Sequence, residues 1–302
     1  MPLAPIALFV YNRPLHTRAV IEALKENDLA GESELYIFSD GAKNEDAKQK
    51  VDEVRNYIRT ITGFKKVEII ERNENLGLAK SIISGVTDII NRFGKIVVLE
   101  DDLVTSRFFL RFMNDALDFY ESNNDVISIH GYIYPVRENL PETFFLRGAD
   151  CWGWATWKRG WDLFEVDGRR LLDGLIKNGV TKEFDLQNSY PYTNMLRDQI
   201  RGLNSSWAIR WHAAAFLAGK LTLYPGKSLV QNIGFDDSGT HTGRIKAFRG
   251  AMAQEPIRVE AIAVEENEQA LSAIVRYFRS PKLFLLTTCM RLKHIIGKLY
   301  AK

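Results

Sequence analysis

Residues 95–106 of the chain read KIVVLEDDLVTS, an apolar run that leads directly into three adjacent carboxylates. The run predicts a buried strand, and Glu100, Asp101 and Asp102 follow at its carboxyl end. One acidic residue at this point can cap a following helix by accepting its free N–H groups. Three in a row repel one another unless a cation lies among them, and Mg²⁺ and Mn²⁺ prefer oxygen ligands. The stretch therefore predicts a metal site, with helix capping as the alternative.

Strand-like and helix-like segments alternate over residues 6–102. This alternation is typical of βαβ units and predicts an α/β fold with a mostly parallel sheet. The predicted strands are 6–12, 34–41, 66–73 and 95–102, and the predicted helices are 14–28, 45–61 and 76–94, the last closed by Gly94. Because ligands bind beyond the carboxyl ends of such strands, the polar residues at the four ends should meet in one crevice.

The usual glycine-rich phosphate-binding motifs are missing from this half of the chain. The first strand leads into FVYNRP, which has no G-x-G-x-x-G pattern, and no P-loop pattern occurs. A bound nucleotide would therefore be held by side chains at the strand ends and by a metal on its phosphates.

Composition excludes several other classes of protein. The net charge is only +2 over 302 residues, so no global basic field indicates nucleic acid binding. Cys151 and Cys289 lie far apart, which gives neither a disulfide framework nor a zinc site and suggests a reducing compartment. The N-terminus lacks the features of a signal peptide, and no apolar run is long enough to cross a bilayer. We therefore expect a cytoplasmic protein, and the sequence leaves its oligomeric state open.

The second half has a mixed pattern. Residues 106–121 and 205–220 predict helices, the latter capped by Ser205 or Ser206 and ended by Gly219, and residues 126–132 and 221–225 predict strands. Residues 166–204 predict a looser helical insertion, and residues 229–243 a loop that closes over a site. The segment DCWGWATWKRGW (150–161) holds four tryptophans, which indicate either core packing or a platform for a sugar ring.

Taken in order, these segments resemble the GT-A glycosyltransferases, in particular bacterial family-2-type enzymes related to N-acetylglucosaminyltransferase I. The resemblance covers roughly residues 5–245, and its motifs are FVYNRP (9–14), SDG (39–41), NLGLAK (75–80), EDD (100–102), WGWATW (152–157), NIG (232–234) and GTHT (239–242). It implies a GT-A (Rossmann-like, nucleotide-sugar-binding) fold with a mixed, mostly parallel central sheet. Residues 1–105 would form a nucleotide-binding half, residues 106–245 an acceptor-binding half, and residues 246–302 a C-terminal helical extension.

The resemblance also implies roles for individual residues on the donor side. Val10, Tyr11 and Arg13 would line the nucleoside pocket, Asp40 would hydrogen-bond the base or ribose, and Asn75 and Lys80 would lie near the donor, with Lys80 toward its diphosphate. Asp102 would bind Mn²⁺ or Mg²⁺ directly, while Glu100 and Asp101 would serve hydroxyl groups or support the metal ligand. His241 would contact the metal or the diphosphate, or else is an exposed loop histidine.

The chain departs from the resemblance at the expected catalytic base. Related enzymes carry an acidic residue at the start of the helix before the last strand, where this chain has Ala208. Asp198 is the substitute candidate, although it could be an exposed helix charge beside its neighbouring arginines, and the weaker candidates are Asp150, Asp236 and Asp237. Arg210 could bind phosphate or acceptor, and Trp154 could serve as the sugar platform. The stereochemical outcome of the reaction stays open.

The C-terminal residues 281–302 predict a basic amphipathic helix with apolar residues at positions 285, 289, 292, 296 and 299. Such a helix suits contact with a membrane surface, or packing on the domain or in a dimer.

The sequence thus predicts a metal-dependent transferase that moves a sugar from a nucleotide donor, expected to be a UDP-sugar such as UDP-GlcNAc. The acceptor would be a glycan or lipid-linked glycan in the synthesis of a bacterial surface polysaccharide such as lipopolysaccharide. A non-catalytic nucleotide-sugar- or glycan-binding relative and, more weakly, a metal-dependent hydrolase are the alternatives.

Overall fold

Four parallel strands form the first half of the central sheet. The computed structural model describes residues 2–236, 246–281 and 283. Its first elements are β1 (Ile6–Val10), α1 (Pro14–Lys25), β2 (Glu34–Ser39), α2 (Glu45–Ile58), β3 (Lys66–Glu71), α3 (Leu78–Phe93) and β4 (Lys95–Glu100). Strand β1 lies between β2 and β4, and β3 extends the sheet beyond β2. Every strand and helix predicted for residues 6–102 is confirmed, with slightly shorter ends.

The second half adds antiparallel strands and a layer of helices. Its elements are β5 (Leu103–Thr105), α4 (Phe109–Phe119), β6 (Val126–His130), β7 (Thr143–Arg147), β8 (Trp154–Trp157), α5 (Lys158–Trp161), α6 (Gly168–Lys177), α7 (Thr181–Phe184), α8 (Tyr192–Ile200), α9 (Ala208–Leu217), β9 (Leu221–Pro225), β10 (Val230–Asn232) and α10 (Glu268–Phe278). The strand order in the main sheet is β3-β2-β1-β4-β8-β6-β9-β7. Strand β8 pairs antiparallel with both β4 and β6, whereas β9 pairs parallel with β6. The predicted α/β class with a mixed, mostly parallel sheet is confirmed.

The two faces of the sheet bury alternate residues of the same strand. In β1, Ile6 and Leu8 belong to one core cluster, while Ala7 and Phe9 belong to the other. Helices α1, α2 and α4 cover the first face, and α3, α5 and α9 cover the second. Fully burying one such aliphatic or aromatic side chain stabilises the fold by about 1.5–3 kcal/mol. A strand covered on both faces has a fixed position, which makes its carboxyl end a rigid support.

Local signals end α3 and begin α9 near the positions predicted from the sequence. Gly94 adopts a left-handed φ of 78°, and its N–H donates to the Ile90 carbonyl at 2.8 Å. The next residue, Lys95, starts β4, so the glycine turns the chain directly from helix into strand. The Ser206 hydroxyl accepts a hydrogen bond from the Ile209 N–H at 3.2 Å, which caps α9 as predicted.

A small second sheet, which was not predicted, links the acidic turn to a distant segment. Strands β5 and β10 pair antiparallel, with Leu103 opposite Asn232 and Thr105 opposite Val230. This pairing carries residues 232–236 to the end of β4. Residues 237–245, which include His241 and Asp237, lie outside the described residues.

The described part of the predicted C-terminal extension packs against β7 and β9. Ala270, Ile274 and Phe278 of α10 share a core cluster with Phe144 of β7 and Tyr224 of β9. Among the described helices, none is long and apolar enough to cross a bilayer. Residues 284–302, which hold the predicted apolar stripe, lie outside the described residues.

Candidate active site

The acidic triplet Glu100–Asp102 lies where β4 ends and β5 begins. Glu100 is the last residue of β4, opposite Phe9 of β1, and Asp101 and Asp102 form the turn before Leu103. The side chains of Asp101 and Asp102 are only 13% and 19% exposed. The Asp102 carbonyl accepts a hydrogen bond from the Ile233 N–H at 2.8 Å. No helix begins here, so the capping alternative does not account for the triplet.

Arg13, just before α1, supplies a positive charge to the triplet. Its Nη1 lies 2.9 Å from Asp102 Oδ2 and 3.6 Å from Asp101 Oδ1. The Tyr11 N–H also donates to Asp101 Oδ2 at 3.3 Å. The cation that the sequence required among the carboxylates is therefore, in this structure, a guanidinium. The predicted contact of Arg13 with a nucleoside stays a prediction.

One guanidinium does not fully offset three carboxylates. Burial, followed by the charge of Asp102, raises the pKa of Asp101 from 3.8 to about 7, against the opposing effects of Arg13 and the Tyr11 N–H. Burial, followed by the charges of Asp102 and Asp101, raises the pKa of Glu100 well above its usual value. The turn therefore favours the uptake of a proton or a further cation.

The chemistry of the triplet fits a hard divalent cation, but only in part. Carboxylate oxygens suit Mn²⁺ and Mg²⁺. Within residues 2–236, 246–281 and 283, however, no group of three or more His, Cys, Asp or Glu is arranged to hold a metal ion. His241, the second predicted ligand, lies outside these ranges. The described residues could thus supply one or two ligands through Asp102 and its neighbours, and substrate phosphates or water would supply the others.

Asp40, at the carboxyl end of β2, is bonded to the turn that precedes α3. Its Oδ1 accepts from the N–H groups of Gly41 (3.1 Å) and Leu76 (2.9 Å), and its Oδ2 accepts from the Gly77 N–H (2.9 Å) and Asn75 Nδ2 (3.1 Å). Two bonds at each oxygen fill the acceptor positions of a carboxylate. Asp40 therefore fixes the turn before α3, and the predicted contact with base or ribose would require one of these bonds to be given up.

The other predicted donor-side residues differ in how accessible they are. Val10 is only 3% exposed and packs in the core, so its side chain does not line a pocket as predicted; its carbonyl instead accepts from the Asp40 N–H at 3.1 Å. Tyr11 is half-buried, and its hydroxyl accepts from the Lys43 N–H at 3.1 Å. Lys80 is exposed in the first turn of α3 and borders a groove on that helix with Asp88.

Trp154 is not a sugar platform in this structure. Its side chain is fully buried, with its ring centroid 5.5 Å from that of Trp207 and 6.0 Å from that of Trp211. The physical reason is its position in β8, where it pairs with Val98 and faces the inner layer. The core-packing alternative is therefore correct for Trp154.

Trp152, two residues earlier, is the partly exposed member of the tryptophan-rich segment. Its ring contacts Tyr132, Phe235 and Phe248, and its backbone N–H donates to His130 Nε2 at 3.1 Å. Phe235 directly follows the segment that β10 brings to the acidic turn. An aromatic surface with an exposed part therefore does lie next to the candidate site, but it is built on a different tryptophan.

Arg210 lies in α9 and Asp198 in α8, in the helical layer of the second half of the chain. Arg210 is 9% exposed, and its guanidinium donates to the carbonyls of Ser206 (3.3 Å) and Val166 (3.1 Å). These bonds tie α9 to the preceding loop, so the predicted phosphate or acceptor contact of Arg210 is not available in this arrangement. Asp198 lies in α8 and pairs with Arg201 on the next turn, as the surface-charge alternative for Asp198 predicts.

Asp150 borders a small cavity, lined largely by aromatic and aliphatic side chains, between β7, β9 and the helical layer. The cavity has a volume of about 30 Å³ and its polar lining includes Asp150, His212, Tyr134, Tyr192 and Tyr224. This space suffices for about one or two water molecules or a single hydroxyl group. Burial, followed by the charge of Asp150, raises the pKa values of Tyr192 and Tyr224 above the usual range.

The orientation of His212 in this cavity follows from one contact. Its Nδ1 lies 2.9 Å from the Ala149 carbonyl, which can only accept, so Nδ1 carries the proton. Burial lowers the pKa of His212, which favours the neutral ring with a lone pair on Nε2.

Three consecutive residues beside the cavity or next to its lining have positive φ values: Leu186 (48°), Gln187 (55°) and Asn188 (61°). Strained backbone of this kind often accompanies functional sites.

Cys151 connects this cavity to the acidic triplet. Burial is the largest cause that raises the pKa of its thiol, and the negative charges of Asp150, Glu100 and Asp102 raise it further. Asp150, which borders the cavity, and two carboxylates of the triplet therefore act on the same thiol.

Sequence analysis missed several residues that build the site. Gly234 is the clearest, because a Cβ added there would lie 2.3 Å from Asp102 Oδ2. Arg55 is another, since its Nη2 donates to the carbonyl of Arg72 at 2.6 Å and ties two strand ends together. His16 Nε2 lies 3.1 Å from Asp236 Oδ2 and links α1 to the segment after β10. The NIG motif offered a signal for Gly234, whereas Arg55 and His16 stand in ordinary helical patterns.

Comparison with known proteins gives limited similarity. No protein-family model and no curated protein matches the chain. Among solved structures, it is similar to the mannosyltransferase PcManGT from Pyrobaculum calidifontis in complex with GDP-Man and Mn²⁺, with 14% identity and a TM-score of 0.33 over 45% of this chain. It is also similar to TarS 1-349 from S. aureus, with 12% identity and a TM-score of 0.41 over 75% of this chain, and to S. aureus TarS, with 13% identity and a TM-score of 0.40 over 77%.

The chain spans only part of each of these structures. It covers 39% of the mannosyltransferase, 59% of TarS 1-349 and 37% of TarS. Similarity at this level does not identify a donor, an acceptor or a metal for this chain.

The raised pKa of Asp101 predicts how stability changes with pH. The folded-state pKa of about 7 exceeds the ordinary value of 3.8, so the contribution of this group is present at low pH and lost as pH rises through about 7. Without metal, Asp101→Asn should therefore gain in Tm over wild type as pH rises from about 4 to about 7, and the difference should stay constant above about 7. Thermal unfolding in EDTA measures this difference. Asp125→Asn, at a side chain that is 72% exposed, is the control, and a pH-independent difference for Asp101→Asn would contradict the prediction.

Gly234→Ala should displace the Asp102 carboxylate while leaving the fold intact. The new Cβ would meet the mobile end of a side chain, which can move at small cost. We expect Mn²⁺ binding to weaken by about 10–100-fold, as when groups that orient a metal ligand are lost. Electron paramagnetic resonance of free Mn²⁺ in the presence of UDP or GDP measures the affinity. Gly31→Ala, with no atom within 4 Å of its Cβ, is the matched control; equal affinities in both variants would show that Gly234 does not position Asp102.

Proposed function

We propose that the protein is a metal-dependent glycosyltransferase of the GT-A type, which moves a sugar from a nucleotide-diphosphate donor to a glycan or lipid-linked acceptor. The observation that carries this proposal is the acidic triplet at the end of β4, buried and compensated only in part by Arg13. A carboxylate cluster of this kind, at the carboxyl edge of a parallel sheet, suits a cation that holds a diphosphate.

The donor side is assembled from the loops that follow the parallel strands. Tyr11 and Arg13 follow β1, Asp40 ends β2, the turn with Asn75 follows β3, and the triplet ends β4. Asp40 accepts the N–H groups of Leu76 and Gly77 and so holds the turn from which α3 begins. A helix N-terminus favours phosphate. Lys80, exposed in the first turn of α3, adds a positive charge there.

Asp102 would hold the metal, with Asp101 as its neighbour, and Arg13 and Lys80 would contact the phosphates. A bound Mn²⁺ or Mg²⁺ would neutralise the negative charge that develops on the leaving diphosphate. We expect a UDP-sugar, such as UDP-GlcNAc, as the donor. The acceptor would be an intermediate in a bacterial surface polysaccharide, brought to the protein at a membrane surface by residues 281–302.

Asp150 is our choice for the general base, ahead of Asp198. Asp150 borders the cavity that admits a hydroxyl group, and its charge acts on the Cys151 thiol together with the charges of Glu100 and Asp102. A carboxylate there would accept the proton of the acceptor hydroxyl during attack on the anomeric carbon. Trp152 would stack on the acceptor or donor sugar, in the role first expected of Trp154. The alternative is a non-catalytic nucleotide-sugar-binding relative, favoured by Ala208 at the usual position of the base.

Donor binding tests the metal-dependent half of the proposal. Isothermal titration calorimetry of wild type with a panel of nucleotide sugars should give binding of one donor that requires Mn²⁺ or Mg²⁺. Asp102→Asn should lose about tenfold or more of this affinity, because a neutral amide is a weaker ligand for a hard cation. Asp125→Asn, far more exposed, is the matched control. Donor binding that is the same with and without metal in wild type would contradict the proposal.

Turnover distinguishes the two candidate bases and the non-catalytic alternative. Release of nucleoside diphosphate, measured with the identified donor and a panel of glycan acceptors, should fall by about 10²–10⁴-fold in Asp150→Asn. Donor affinity should not change, since Asp150 does not hold the donor. Asp198→Asn should keep most of the activity, because Asp198 pairs with Arg201. The reverse pattern would assign the base to Asp198, and no turnover with any acceptor would favour the non-catalytic alternative.

A further inference from the structure

Arg13 differs from the other arginines at this edge of the sheet in what it binds. Arg55 lies 3.9 Å from one carboxylate, Glu71, but its close bonds are to the backbone carbonyls of Arg72 and Asp40, and Arg72 donates to the Ser81 carbonyl. These two guanidinium groups hold the backbone in place. The Nη1 of Arg13 instead lies between Asp101 and Asp102, in the position that a cation bound to the acidic turn would share.

We propose that Arg13 is the resident counter-cation of the acidic triplet, so that a divalent cation binds there tightly only together with a nucleoside diphosphate. This inference rests on the proposed function, since it requires a metal and a diphosphate at the same site. Arg13 would couple the binding of the two ligands, a role beyond that of holding the metal or the donor.

The coupling follows from the arrangement of charge. A metal ion that arrives alone must share Asp102 Oδ2 with Arg13 Nη1, which lies 2.9 Å from that oxygen. Two cations at one carboxylate repel each other, and this repulsion is strong where water is largely excluded. A diphosphate brings negative charge of its own, and a guanidinium group binds phosphate well through parallel N–H bonds. Arg13 would then exchange the carboxylate for the phosphate, which would free Asp102 Oδ2 to hold a cation.

The side chain of Arg13 can make this exchange without a change of backbone. The backbone carbonyl of Arg13 accepts a hydrogen bond from the Thr17 N–H at 2.9 Å, which holds Arg13 at the start of α1. Pro14, at the first position of that helix, fixes the turn further. The guanidinium is 17% exposed and therefore borders the crevice in which a donor would lie. A fixed backbone with a partly exposed side chain is suited to alternate between two neighbouring anionic partners.

Binding of Mn²⁺ to the full-length protein tests the inference without any measurement of turnover. Electron paramagnetic resonance of free Mn²⁺ gives the affinity of wild type, Arg13→Gln and Arg18→Gln, each alone and with UDP, GDP, CDP or ADP. Arg18 is the matched control, because it also lies in α1 and is cationic, but it stacks on Tyr57 at 4.3 Å. Circular dichroism checks that each variant is folded.

We expect Arg13→Gln to bind Mn²⁺ alone about tenfold more tightly than wild type, the effect of removing one nearby positive charge. The nucleoside diphosphate should raise the Mn²⁺ affinity of wild type and Arg18→Gln by a larger factor than that of Arg13→Gln. Because coupling is reciprocal, Mn²⁺ should raise the diphosphate affinity of wild type by the same factor.

Equal or weaker Mn²⁺ binding by Arg13→Gln alone, or an undiminished effect of the diphosphate in that variant, would overturn the inference and leave the proposed function standing. Should Arg13→Gln fail to fold, Arg13→Met takes its place, and wild type by itself still decides: tight Mn²⁺ binding that no diphosphate enhances excludes the coupling. Absence of Mn²⁺ binding to wild type under every condition would instead refute the proposed function.

Discussion

Three carboxylates held together at the end of a buried strand are the constraint on which this site depends. Strand β4 lies between β1 and β8, so Glu100 and the turn after it cannot move apart without a loss of sheet pairing. Their charge must therefore be compensated where they stand, and the loop after β1 supplies both the Tyr11 N–H and the Arg13 guanidinium. The pairing of Phe9 with Glu100 sets this loop opposite the turn. A slip of one residue would reverse every side chain of the strand, so sheet register and site chemistry are one constraint.

The comparison of Asp40 with Asp102 shows how two strand-end carboxylates come to differ. The Asp40 carboxylate accepts four hydrogen bonds from the chain around it, and these bonds hold the turn around Asn75 in place. Asp102 shares one guanidinium with its neighbours and keeps room at Oδ2, where Gly234 carries no side chain. A saturated carboxylate is a structural element, whereas an incompletely compensated one is poised for a ligand. This difference arises from the donors that surround each residue.

Local patterns in the sequence were enough for the first half of the fold and for the position of the acidic turn. Alternating segments and the Gly94 cap are short-range signals, and β1 to β4 and α1 to α3 followed from them. The choice between Trp152 and Trp154 was not decidable in this way. Both stand in one tryptophan-rich segment, and which ring is buried depends on the pairing of β8 with β4 and β6. The contact of Gly234 with Asp102 depends likewise on the long-range pairing of β10 with β5.

The segment at Asp150 joins the two halves of the candidate site electrostatically. The Cys151 thiol lies within the influence of Asp150 and also of Glu100 and Asp102. In a region with little water, such charges act on one another over longer distances than they would in solvent. Neutralisation of the triplet by a cation would therefore also change the electrostatic potential at Cys151, the residue next to Asp150. If the donor and its metal bind first, the segment that carries the candidate base experiences this change before an acceptor hydroxyl group arrives.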